Sequence, residues 1–191
     1  MEFASTELPT HFNPATCVRK GLCPVTKLRP QGHLESHSLY FEQHGKGTKY
    51  KIVLIMGLNS SSFGWKAQVD YFGGGKAFQD EDGGGEGEEK STVLVFDNRG
   101  VGNSGYPMGP YSTRAMAEDV VTLLDYVGWT GEREVHVVGI SLGGMIAQAS
   151  AEDTQPDSLV VVSGNDPRRT AMEQPTTLER RDKLSKIDVH T

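Results

Sequence analysis

The 191 residues carry a formal net charge of −6, and 36% of them are hydrophobic. That length suits one domain, and the modest apolar share predicts a real core diluted by loosely packed stretches. The acidic balance, with no basic block to offset it, argues against nucleic-acid binding, and no apolar run approaches the ~20 residues of a membrane span.

From the start of the chain, Met1-Glu2-Phe3 is not a basic region leading into an apolar run, so no secretory signal is read there and a cytoplasmic protein is expected. Residues 1–32 are polar and punctuated by Pro9, Pro14, Pro24 and Pro30, and are expected to form an irregular N-terminal segment. Cys17 and Cys23 are expected as free thiols. His11 is their nearest histidine in sequence, and the spacing fits no zinc pattern, so no metal site is expected. The alternation of His37, Leu39 and Phe41 with polar neighbours predicts a strand or hairpin between His33 and His44. Ile52 to Met56 is a continuous apolar run of the kind found in strands buried on both faces. Trp65, Val69 and Phe72 suggest a helix from about Phe63 to Phe72. Residues 73–90, rich in glycine and acid, read as a flexible surface insertion.

Thr92 to Phe96 predicts the next buried strand. Ser112 is placed to cap a helix through Val127, whose face is marked by Met116, Val120, Leu123, Leu124 and Val127, with Gly128 as the stop. Val135 to Ile140 predicts a third strand, Leu142 to Ala151 a buried helix and Leu159 to Val162 a fourth strand. Strands alternating with helices imply an α/β fold with a mainly parallel, doubly wound sheet. Residues 164–191 are a polar tail in which Thr176 and Glu179 could form a capping box for one short helix.

Gly139-Ile140-Ser141-Leu142-Gly143 fits G-x-S-x-G, preceded by a strand and followed by an apolar helix. A strand that turns so sharply into a helix leaves no room for side chains two residues either side of the serine, and it stands the hydroxyl clear of the sheet edge. Two further segments occur in a telling order: Ile55-Met56-Gly57-Leu58-Asn59 after one strand and Asp97-Asn98-Arg99-Gly100-Val101-Gly102-Asn103-Ser104 after the next. On these three segments the chain resembles the α/β-hydrolase family over roughly residues 33–163. They are similar to its oxyanion loop, its D-x-R-G-x-G-x-S loop and its nucleophile elbow.

The resemblance implies hydrolysis of a small-molecule ester or related acyl substrate through an acyl-enzyme on Ser141, with the backbone N–H groups of Leu142 and Leu58 as oxyanion donors and no cofactor or metal. Met56 stands where the family usually has histidine. The Asp97 loop is expected to be mainly structural. The family's acid and histidine follow the serine in chain order. Here the candidates are Asp166, after the fourth buried strand, and His190, the one histidine beyond Ser141. Nothing after Ser163 reads as a buried strand to present them. The chain therefore reads as a C-terminally shortened member, its sheet incomplete on that side, with little or no turnover of its own. A non-catalytic binding or interaction scaffold is the alternative. The 159–162 strand, left as a sheet edge, would favour self-association.

Two other motif matches are weaker. Gly100 to Gly105 spells G-x-G-x-x-G, but Pro107 and Pro110 oppose the helix that a dinucleotide site opens into. Gly84 to Ser91 approaches a phosphate loop, but Glu89 replaces its second glycine.

Overall fold

The computed structural model describes residues 9–29, 32–74, 91–109, 111–131, 133–154, 156 and 158–162. Six strands form one sheet: β1 (Cys17–Leu28), β2 (Leu34–His44), β3 (Tyr50–Ile55), β4 (Ser91–Phe96), β5 (Val135–Ile140) and β6 (Ser158–Val162), in the order β1-β2-β4-β3-β5-β6. The β1–β2 hairpin and the β2–β4 pair are antiparallel, whereas β4, β3, β5 and β6 run parallel to one another.

The apolar runs form strands because both faces of the sheet are covered. Along β3, Val53 and Ile55 face one core with Leu94, Phe96 and Val137, while Ile52 and Leu54 face a second core with Val93, Val95, Trp65 and Phe12. The first core is closed by α2 (Thr113–Val127) and α3 (Leu142–Thr154), which contribute Met116, Val120, Leu123, Leu124 and Ile146. Both ends of α2 are as expected: the Ser112 hydroxyl accepts from the Ala115 amide at 3.1 Å, and Gly128 ends the helix in the left-handed conformation at φ 80°.

Residues 1–32 are not irregular throughout. Cys17–Leu28 is a twelve-residue edge strand, paired residue by residue with β2 from Arg19↔Gln43 to Leu28↔Leu34. Its polar look follows from its position. Only Cys23 and Val25 are buried in it, and an edge strand tolerates Pro24 because alternate amides face away from its single neighbour. The expected helix at 63–72 is also different in kind. A 3-10 turn (Ser62–Trp65), a short α1 (Lys66–Gln68) and a π turn (Val69–Gly73) follow one another. Trp65 and Val69 are buried as the spacing implied, but Gly73 packs so tightly on His44 that a Cβ there would come within 2.8 Å of the His44 Cβ. The widened last turn accompanies that contact. The proposed 75–90 part of the insertion and the 164–191 tail lie outside the described residues.

A buried ionic network ties the hairpin to α2. Arg99, wholly buried, donates from Nε and Nη2 to the two carboxylate oxygens of Asp119, each at 2.6 Å, and lies 3.2 Å from Glu35. Arg29 forks onto the same Glu35 at 2.6 and 3.2 Å, and His37 Nε2 lies 3.4 Å from Asp119.

Candidate active site

The site is a backbone corner between β5 and α3. Ser141 occupies it with φ 54°, a left-handed conformation that L-residues avoid unless the surroundings impose it. Two glycines make the corner possible. A Cβ on Gly139 would collide with the carbonyl of Gly143, and one on Gly143 would collide with the carbonyl of Ile55 at the end of β3. The amides of Gly144 and Met145 then donate to the Ser141 carbonyl at 2.9 and 3.4 Å, starting α3 directly after the serine. Ser141 is exposed, while Gly143 and Gly144 are buried beneath it.

The neighbouring loop comes from β3, which pairs in register with β5 (Ile55↔Gly139). Gly57 approaches so closely that a Cβ on it would lie 3.3 Å from the Ser141 Cβ and 3.8 Å from its Oγ. The next residue, Leu58, is 67% exposed, and Asn59 turns the chain at φ 53°. So the structure brings Ser141, Leu142 and the Gly57-Leu58 loop to one place, outside the carboxyl ends of two adjacent parallel strands. Open α/β sheets form their ligand crevices there. Chemically, such a corner offers an accessible hydroxyl over a helix N-terminus, where developing negative charge is favoured.

Support comes from the loop after β4. Asn98 Nδ2 donates to the Met56 carbonyl at 3.0 Å, which clamps the Gly57 loop from behind, and Met56 packs its side chain into the second core. Asn98 lies within a segment singled out by its motif, but that pattern gave no hint of this contact. Asp97 is structural, as expected. Its carboxylate accepts from the Ser61 hydroxyl (3.0 Å), the Ser62 amide (2.7 Å) and the Asn103 amide (2.9 Å). The Ser104 hydroxyl donates to the Asp97 carbonyl and accepts from the Tyr40 amide. The Gly100–Gly105 match runs through these turns, and among the described residues it opens into no helix before Thr113. His136 is half-buried in β5, its ring 5.7 Å from that of Tyr50, and Cys17 and Cys23 are both free thiols. Asp166 and His190 lie outside the described residues.

A sheet with these crossovers and a strained serine corner between strand and helix define a class, and sequence comparison agrees with it. The alpha/beta hydrolase fold profile matches residues 52–184. The chain belongs to the α/β-hydrolase-fold family. Among curated relatives it is 30% identical over 137 residues to a protein of Azorhizobium caulinodans provisionally named carbamate hydrolase RutD, covering 71% of this chain and 44% of that one. It is 26% identical over 125 residues to 3-oxoadipate enol-lactonase 2 of Acinetobacter baylyi, covering 65% and 40%. Among solved structures, a thermophilic esterase of Thermogutta terrifontis superposes with a TM-score of 0.55 at 25% identity, covering 75% and 44%. The chain thus spans less than half the length of these relatives. No helix among the described residues is long and apolar enough to cross a membrane.

Proposed function

We propose that Ser141 is the nucleophile of a serine hydrolase that acts on an ester or related acyl substrate. The observation that carries this reading is the left-handed Ser141 held between Gly139 and Gly143 and faced by Gly57. Such strain is retained where position matters more than local stability. In this reading the N–H groups of Leu142 and Leu58 receive the oxyanion. Asp166 and His190 are the acid and base that the sequence offers beyond Ser141. A serine without an effective base keeps only the fraction of the rate that binding and an oxyanion hole provide, about 10³–10⁴-fold over water. Turnover is therefore expected to be weak where His190 does not reach Ser141.

A fluorophosphonate probe tests the reading. Labelling that disappears in Ser141→Ala supports an activated hydroxyl. A wild-type chain that stays unlabelled favours the alternative, a non-catalytic ligand-binding or interaction scaffold built on the same fold. Ser141→Gly, which relieves the positive φ, is expected to raise stability by about 1 kcal/mol while abolishing labelling. An unchanged or lower melting temperature would show that the corner is not strained.

The same reading places the protein in the cytoplasm with a small-molecule partner and no nucleic acid. It also gives β6 a role in self-association, because among the described residues that strand pairs only with β5. Sedimentation of the purified chain at rising concentration should show species larger than a monomer. A monomer throughout would dismiss the edge as an interface.

A further inference from the structure

At the far edge of the sheet, away from the serine corner, the hairpin assembles a second chemical cluster. Cys17 and His44 are cross-strand partners, and Glu42, two residues before His44, shares its face of β2. One ligand atom from each of Cys17, Glu42 and His44 lies within 4.8 Å of the others, with Glu42 and His44 buried and Cys17 half-buried. The pairing slips between Cys17 and Arg19, and bulges of this kind re-aim side chains at the ends of ladders.

The hydrogen bonds around His44 accommodate a tautomer in which Nε2 faces the cluster as an acceptor. The Thr16 hydroxyl has one proton, and it donates that proton to the Asn13 carbonyl at 2.9 Å. In the tautomer protonated on Nδ1, the ring N–H donates to that hydroxyl at 2.9 Å. With Nδ1 protonated, a neutral ring carries its lone pair on Nε2. That atom is buried without a hydrogen-bond partner, and it lies 3.4 Å from Glu42 Oε2. Glu42 in turn accepts the Tyr40 hydroxyl on Oε1 at 2.6 Å and the Thr10 hydroxyl on Oε2 at 3.0 Å, as a carboxylate does. In that tautomer two acceptors face each other with a thiol beside them, an arrangement that a bound cation would satisfy.

We propose that this cation is a divalent metal of the zinc type, bound by Cys17 Sγ, Glu42 Oε2 and His44 Nε2. Mixed sulfur, nitrogen and carboxylate ligands suit zinc, whose tetrahedral geometry sets such donors about 3.5 Å apart, so the side chains close in by roughly 1 Å. The supporting groups are in place: Thr16 orients His44 as an outer-shell acceptor does, and Tyr40 and Thr10 orient Glu42. Binding displaces the Cys17 thiol proton to water, leaving a thiolate and a carboxylate as two anionic ligands. A cavity of about 290 Å³, lined in part by Thr10, Cys17 and Glu42, leaves room for a solvent molecule as fourth ligand. Lys20 also lines it, one positive charge against two negative ligands. The guanidinium of Arg19 is turned away, 4.9 Å from the Tyr126 ring and 5.5 Å from that of Phe41.

Titrating the full chain with Co²⁺ alone, then displacing it with Zn²⁺, tests the assignment. The wild type should take up one Co²⁺ with a thiolate-to-cobalt charge-transfer band, which Zn²⁺ abolishes. Cys17→Ala should lose the band and at least about a hundredfold in affinity, Thr16→Val about tenfold with the band retained, and Cys23→Ala nothing. A wild-type chain that leaves both metals free in solution would assign the gap to a proton and overturn the proposal. So would a band that survives Cys17→Ala.

Discussion

Replacing Arg99 by methionine is expected to destabilise the protein by about 3 kcal/mol, seen as an earlier midpoint in chemical denaturation. Arg99 is fully buried and forks onto Asp119. Its loss leaves two buried carboxylates, Asp119 and Glu35, partly unpaired, and a lone buried charge costs more than the pair ever gains. The figure sits at the low end of the usual range because Arg29 remains on Glu35, and Lys27 remains 3.9 Å from Asp119. A loss below about 1 kcal/mol would mean that these neighbours carry the network alone.

The same network fixes the response to acid. Burial pushes the Asp119 carboxyl up, but hydrogen bonds from His37 and Arg99 outweigh it and hold the group below its ordinary value of 3.8. For Glu35, burial is likewise outweighed, by Arg29 and Arg99, below 4.5. Carboxyls depressed on folding stabilise the native state fully above those ordinary values, and the contribution is lost as pH falls through the lower folded ones. The melting temperature of the wild type should therefore hold until pH drops below about 4 and then fall. In Arg99→Met the acid limb should be shallower, because carboxyls less depressed on folding lose less stability when protonated. Coincident acid limbs in the two proteins would separate the acid response from this network.

Gly139→Val is the second change with a large expected effect, a loss of more than about 3 kcal/mol together with any labelling of Ser141. Its Cβ would enter the space of the Gly143 carbonyl and lie 2.7 Å from the Gly144 nitrogen. Relief requires the first turn of α3 to lift from the sheet, and α3 carries Ile146 and Ala147 into the first core. Gly128→Ala is the matched control. Unlike Gly139 it has a positive φ, 80°, with open space around the added methyl, so only the backbone penalty of about 1 kcal/mol applies. Equal losses in the two variants would mean that the elbow is not sterically locked.

What the sequence disclosed depends on where each residue sits in the sheet. β3, β4 and β5 were legible as apolar runs because both of their faces are covered, and α2 was legible because Ser112 and Gly128 mark its ends chemically. β1 was not, because an edge strand with Cys23 and Val25 as its buried residues carries little hydrophobic signal and can even hold a proline. The serine corner could be read because its steric demands fall on Gly139 and Gly143, adjacent in sequence to the residue they serve. The Asn98 clamp on the Met56 carbonyl and the Cys17–Glu42–His44 cluster could not be read. Each depends on pairing across strands, which local patterns do not encode.

The strand order has a consequence for how the chain comes together. β2 and β3 follow one another in sequence, yet β4 lies between them in the sheet. Until Ser91–Phe96 is in place, the hairpin and β3 share no ladder, and a fragment ending before it has two unjoined pieces in place of a scaffold. β4 is the keystone strand: only through it are the hairpin edge and the serine corner joined in one sheet.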